Sequence, residues 1–169
     1  MTLMEKIGQM NQYSNFYDFT GPDPKNHVDS LKFQQLKQGL VGSVLNVSGV
    51  EKVRKMQKLV LDSSRMKIPL LFALDVIHGF QTISPIPLAE SASWNLELIK
   101  KSASIAAKEA ASAGINWTFA PMVDITRDPR WGRIMEGSGE DPYLGSKVAV
   151  ARINGCLLYT SPSPRDTMS

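Results

Sequence analysis

The stretch Ile68-Pro69-Leu70-Leu71-Phe72-Ala73-Leu74-Asp75-Val76-Ile77-His78-Gly79 (IPLLFALDVIHG) decides the fold. Its first seven residues are a short apolar run, which reads as a strand buried on both faces; the proline stands near its start, where a missing N–H is tolerated. The run ends abruptly at a carboxylate and a glycine-bearing turn. Strands buried on both faces belong to parallel sheets covered by helices. In such folds the functional groups gather just past the C-terminal ends of the strands, and Asp75 and His78 stand there.

Working outward, two further apolar runs read as strands: Leu40 to Val47 (LVGSVLNV) and Ile115 to Ala120 (INWTFA). Between the first two, Val50, Val53, Met56 and Val60 recur at helical spacing, predicting an amphipathic helix that ends near Met66. Between the second and third, a helix is expected from Asn95 to Ala113, ended by Gly114. Its alanine side (Ala103, Ala106, Ala107, Ala110) suits close packing on a sheet. Upstream, Thr2-Leu3-Met4-Glu5 reads as a capping box, with Leu3, Ile7 and Met10 following at helical spacing. Asn15 to Asn26 reads as a loop, and a short helix is expected over Asp29 to Gln38 with Gly39 as its cap. Downstream lie a polar loop, Asp124 to Glu140, and a helix opened by Asp141 as N-cap and Pro142 at the first helical position, running to Asn154 with Gly155 as cap. Strands alternating with helices predict right-handed βαβ units. Three strands close neither a barrel nor a doubly wound sheet.

Composition sets the outer limits. The chain has 169 residues, 43% hydrophobic and 21% charged, which is globular composition. That length falls short of the roughly 250 residues of a complete (β/α)8 barrel. The net charge of +3 comes from interspersed signs, so the expectation is no nucleic-acid partner. No apolar run approaches the roughly 18 residues that span a bilayer, so no membrane partner is expected either. Cys156 is the one cysteine, so neither an intrachain disulfide nor a cysteine zinc site can form.

Two clusters follow strand ends: Asp75 to Gly79, and Asp124 to Arg133 (DITRDPRWGR). Adjacent parallel strands would bring both to one rim. Carboxylates accept hydrogen bonds from neighbouring hydroxyls, arginine offers a planar fork of donors, and an aromatic face covers the C–H face of a sugar. The mix suits an uncharged polyhydroxylated ligand. It suits phosphate less well, since no glycine-rich strand-to-helix loop is present. Asp75 and Arg133 are the candidates for ligand contact. Arg127 with Asp128 is expected as an internal ion pair shaping the loop, His78 as a turn residue holding a backbone carbonyl, and Trp131 as a loop anchor or sugar platform. Trp94 and Trp117 are expected in the packed interior. A metal-dependent hydrolase built on Asp75, His78 and Asp124 has too few ligands, too loosely spaced.

These residues resemble the N-terminal domain of glycoside hydrolase family 3, the β-glucosidase and β-xylosidase family. The resemblance runs in order through TLMEKIGQM (2–10), GSVLN (42–46), IPLLFALDVIHG (68–79), PIPLAESASW (85–94), WTFAPMVDITRDPRWGRIMEGSG (117–139) and EDPYL (140–144). DVIHG and RDPRWGR at this separation are its specific signature, and the bacterial β-glucosidase branch fits better than the β-N-acetylhexosaminidase branch. Gln81 and Ser84 depart from it, standing where that branch often has arginine and phenylalanine.

The resemblance implies an α/β fold, the N-terminal part (about three β/α units) of a TIM-like (β/α)8 barrel. It implies a retaining, exo-acting β-glycosidase acting on a β-linked oligosaccharide or glucoside, without cofactor or metal. Asp75 and Arg133 match its substrate-binding positions at the −1 sugar. His78, Arg127, Asp128 and Trp131 match positions that shape the site. The family's nucleophilic aspartate, in a Ser-Asp-Trp-like motif, and its acid/base glutamate match nothing here, so no catalytic residue is assigned. Asp124 and Glu136 are not promoted to fill that gap.

Residues 1–155 are accordingly read as a partial family 3 barrel domain. Residues 156–169, where Cys156 to Asp166 lack any period, are read as a tail derived from a sequencing adapter. Three further expectations follow: no hydrolysis by the chain itself, aggregation through an open sheet edge, and a periplasmic or secreted parent. The alternative reading is a non-catalytic carbohydrate-binding half-barrel.

Overall fold

A computed structural model describes residues 1–14 and 27–157. The elements run α1 (Leu3–Gly8), β1 (Gln12–Ser14), α2 (His27–Lys37), β2 (Ser43–Leu45), α3 (Val50–Ser63), β3 (Leu71–Leu74), α4 (Pro87–Ser91), α5 (Leu96–Ser112), β4 (Trp117–Thr118), a 3-10 turn (Ile134–Glu136) and α6 (Pro142–Leu157). The sheet order is β1-β2-β3-β4. β1 with β2 and β2 with β3 pair in parallel, with Val44 opposite both Tyr13 and Phe72. Strands that follow one another in sequence order show no reversal of winding. A doubly wound sheet reverses at its switch point, whereas a (β/α)8 barrel does not. The fold is therefore α/β, with the winding of the N-terminal part of a TIM-like barrel.

Among the described residues there are four strands where three were expected. β1 is three residues long, polar in sequence (Gln12-Tyr13-Ser14) and without an apolar run to announce it. The other strands are shorter than their apolar runs: β2 and β4 occupy the centres of theirs, and β3 the C-terminal end of its own. The expected loop over Asn15 to Asn26 lies outside the described residues.

The chain divides into two compact units. The first comprises Met1–Leu74 with Ala113–Trp117. Its core gathers Leu36, Val41, Val44, Val47, Met56, Val60, Leu70, Phe72, Ala73 and Ile115. The Thr2/Glu5 capping box forms as expected, and Glu5 also pairs with Arg65 beyond α3. That guanidinium holds the Glu5 carboxyl down at about 2. Gly39 and Gly114 have positive φ at the helix ends assigned to them. Leu3 and Ile7 lie on α1 and Met10 falls just past its end, and all three are exposed. Trp117 also departs from expectation, with 40% of its surface accessible.

The second unit comprises Asp75–Ser112 and the chain from Thr118 onward. Here α5 packs along α6, with Ile99, Val148 and Ala151 at the centre and Leu96 and Leu144 against them. The alanine side of α5 was expected to meet a sheet; within this unit its partner is α6. Trp94, expected inside, is 72% exposed, because it follows α4 with φ +55°. α4 itself, a five-residue turn begun by Pro87, was not expected.

α6 also runs further than the sequence suggested. Gly155 is not its cap but a buried helical residue, and Cys156 and Leu157 continue the helix two residues past the expected boundary. A Cβ on Gly155 would lie 2.3 Å from the Lys100 carbonyl oxygen and 2.9 Å from the Ala103 Cβ. Gly155→Ala sets two effects against each other. Helix propensity favours alanine by about 1 kcal/mol, while overpacking costs about 1–3 kcal/mol. Backbone cannot yield as a side chain does, so the expected outcome is net destabilisation, read as a lower thermal midpoint. A raised midpoint would mean that the two helices can move apart without loss.

Candidate functional site

The second unit contains both clusters marked in the sequence. β3 ends at Leu74, and Asp75 is the first residue beyond it, exposed at the strand end. The chain then folds back on itself. Gly79 and Ile83 form an antiparallel bridge, and the Ser84 N–H donates to the His78 carbonyl at 2.9 Å. His78 thus contributes through its main chain, and its imidazole is exposed. Glu109 of α5 fastens the tip of this fold. One of its carboxylate oxygens accepts from the Gln81 and Thr82 N–H groups, and the other from the Thr82 hydroxyl at 2.6 Å. Those bonds hold the Glu109 carboxyl below its ordinary value. Gln81 enters this contact through its backbone, so its side-chain departure from the family pattern leaves the contact intact.

The second cluster is a loop organised by its own backbone. The Thr126 N–H donates to the Gly139 carbonyl, closing the loop at its base. Asp128 accepts from the Arg130 N–H and pairs with the Arg130 guanidinium, at 2.6 Å from Nη2. The expected Arg127–Asp128 pair is therefore replaced by Asp128–Arg130. An aspartate whose side chain caps the amide two residues on meets that residue's side chain at the same time. Arg127 is exposed and is not the partner of Asp128. Trp131 is partly exposed, and its N–H donates to the Asp128 carbonyl, which suits an anchored position in the loop.

Arg133 leads into the 3-10 turn, where the Glu136 N–H donates to the Arg133 carbonyl. This three-residue spacing sets the two side chains against each other. Arg133 Nε meets both Glu136 oxygens, and Nη2 meets Oε2 at 2.6 Å. The bonds raise the Arg133 pKa and lower that of Glu136. Asp124 and Asp75 add further attraction on the Arg133 guanidinium. Nη1 of Arg133 takes no part in the pair with Glu136.

Four participants escaped the sequence reading. Glu136 carried a usable signal, its i,i+3 spacing from Arg133. Glu109 carried none, because an acidic residue on an amphipathic helix is ordinary. Nor did Glu90 and Arg152, which pair across 62 residues of chain in a buried setting.

Residues 2–157 match the model of the glycosyl hydrolase family 3 N terminal domain. The chain belongs to that family, whose members are glycosidases. It is 46% identical over 166 residues to a periplasmic beta-glucosidase of Salmonella typhimurium, covering 98% of this chain and 20% of that protein. It is 30% identical to a putative beta-xylosidase of Formosa agariphila, covering 92% of this chain and 22% of that one. Among solved structures, the beta-glucosidase of Listeria innocua in complex with glucose superimposes with a TM-score of 0.78 at 41% identity, over 92% of this chain and 22% of that one. The chain therefore spans about a fifth of the length of the relatives it matches.

Proposed function

We propose that this chain carries the sugar-holding side of a retaining, exo-acting β-glycosidase of the β-glucosidase type. Asp75 and Arg133 are the residues that meet the −1 sugar. What supports the reading is that Asp75, the first residue past β3, and Arg133, in the loop after β4, stand where the sequence resembles the family's substrate-binding positions, in a chain that matches the family model over residues 2–157. Asp75 offers acceptors to adjacent hydroxyls, and Arg133 offers the Nη1 donors left over from its pair with Glu136. His78, Arg127, Asp128 and Trp131 shape the surrounding turns. The glucose bound by the Listeria innocua relative supports a hexose as ligand. The periplasmic placement of the Salmonella typhimurium relative supports an exported parent.

Retaining hydrolysis needs two carboxyl groups about 5–5.5 Å apart, one nucleophilic and one a general acid with a raised pKa. Glu136 is unsuited to the acid role, since Arg133 holds its pKa down. The family's nucleophile and acid/base motifs match nothing in this sequence, so on that resemblance both catalytic carboxyls are assigned outside these 169 residues, and the chain alone is expected to leave aryl β-glucosides intact. Incubation of the purified chain with a chromogenic aryl β-glucoside tests this. Release of the aryl alcohol above the rate with Asp75→Asn would overturn the assignment of both carboxyls elsewhere.

A further inference from the structure

We infer that Arg152 is a positioning residue for the segment that carries Asp75 and His78, an inference resting on the sugar-holding role of Asp75. Arg152 lies on α6 and is buried, with 9% of its side chain accessible, and its partner Glu90 on α4 has 6%. Arg152 Nη1 donates to the carbonyl of Ile77 at 2.9 Å, and Nη2 pairs with the Glu90 carboxylate. The other Glu90 oxygen accepts from the Ser102 hydroxyl of α5 at 2.6 Å. One guanidinium therefore links α6, α4 and the peptide between Ile77 and His78, two residues past Asp75. Glu109 fastens the far end of the same segment through Gln81 and Thr82.

Stability alone accounts poorly for this arrangement. A buried ion pair is often no better than apolar residues of the same volume. This one also leaves Arg152 Nε buried with no hydrogen-bond partner among the described residues. Apolar side chains could fill the same space between the helices. They could not grip the Ile77 carbonyl, because only a directional donor fixes the orientation of a peptide plane. Orientation of that plane sets where the chain leaves β3, and with it the direction of Asp75.

The test uses the full 169-residue chain as wild type, Arg152→Lys and the double variant Glu90→Met with Arg152→Met. The double variant removes both charges together, so that the fold survives. Amide hydrogen exchange is followed by NMR, with the Ile77 carbonyl carbon shift as the signature of the lost bond. The expected result has three parts. The Ile77 carbonyl moves upfield in the double variant. Amides of residues 76–84 exchange at least tenfold faster, while those of α5 and α6 keep their protection. Arg152→Lys, with a single ammonium for two acceptors, falls between the other two. An unmoved Ile77 carbonyl, or acceleration spread evenly over α5 and α6, would overturn the positioning role. Titration with D-glucose separates this from the sugar reading. Absence of any response at Asp75 and Arg133 in wild type counts against sugar binding, and the exchange comparison still decides the role of Arg152.

Discussion

Arg152→Met alone is expected to lower the free energy of unfolding by about 3–5 kcal/mol, the usual cost of stranding one member of a buried ion pair. The reason is the partner left behind. Glu90 is buried, and without the guanidinium its carboxylate keeps only the Ser102 hydroxyl. The double variant, with methionine at 90 as well, removes the stranded charge and is expected to recover most of the loss. Urea denaturation followed by far-UV circular dichroism measures both. Equal losses in the single and double variants would show that the packing of the arginine stem, not the uncompensated carboxylate, sets the cost.

Gly79→Ala is the other large expected effect. Gly79 has φ +100°, and an added Cβ would sit 2.0 Å from the Thr82 carbonyl oxygen. A residue forced into so sparsely populated a conformation costs about 1–3 kcal/mol. Overpacking against an atom that cannot retreat costs about 1–3 kcal/mol more. Thr82 cannot retreat, because Glu109 holds its amide and its hydroxyl. Together these exceed what a three- to four-residue turn regains by closing, so the turn should open while the helices stay packed. The Gly79–Ile83 bridge would then be lost, and amides of residues 79–84 would exchange faster. Unchanged exchange at residues 79–84 would refute this account of the turn.

The sequence announced those parts of the fold that depend on local rules. The capping box at Thr2, the positive-φ glycines at 39 and 114 and the Asp141-Pro142 helix start all formed where they were expected. Each is decided by residues within one turn of chain. Failures came where tertiary context outweighs local pattern. β1 is polar and short, and exists because its neighbour β2 pairs with it. Gly155 obeys the rule for a helix cap, yet the closeness of α5 makes it a contact residue inside a longer helix. The tryptophans at 94 and 117 look like core residues by type and are exposed by geometry. At the candidate site, Asp75 stands directly past the end of β3 and Arg133 in the loop after β4, as the order of the sequence suggested. The ion pairs around them were read less well: Asp128 pairs with Arg130 rather than with the adjacent Arg127, and the pairing of Glu136 with Arg133 was not anticipated. Position along the chain carries that much, while the choice among several nearby opposite charges is made by loop conformation.

The pairing of Arg133 with Glu136 has a consequence for which solutes the site attracts. An isolated guanidinium at a strand end draws in chloride, phosphate and other small anions, which then compete with any ligand. Glu136 cancels that field at contact range, and Asp75 and Asp124 oppose it further out. The arginine keeps its N–H vectors but presents little net positive potential. Recognition of an uncharged solute by such a group should hardly change between low and high ionic strength, because no long-range attraction is there to be screened. On the proposed sugar-holding role, a hydroxyl-rich ligand would meet little competition from phosphate.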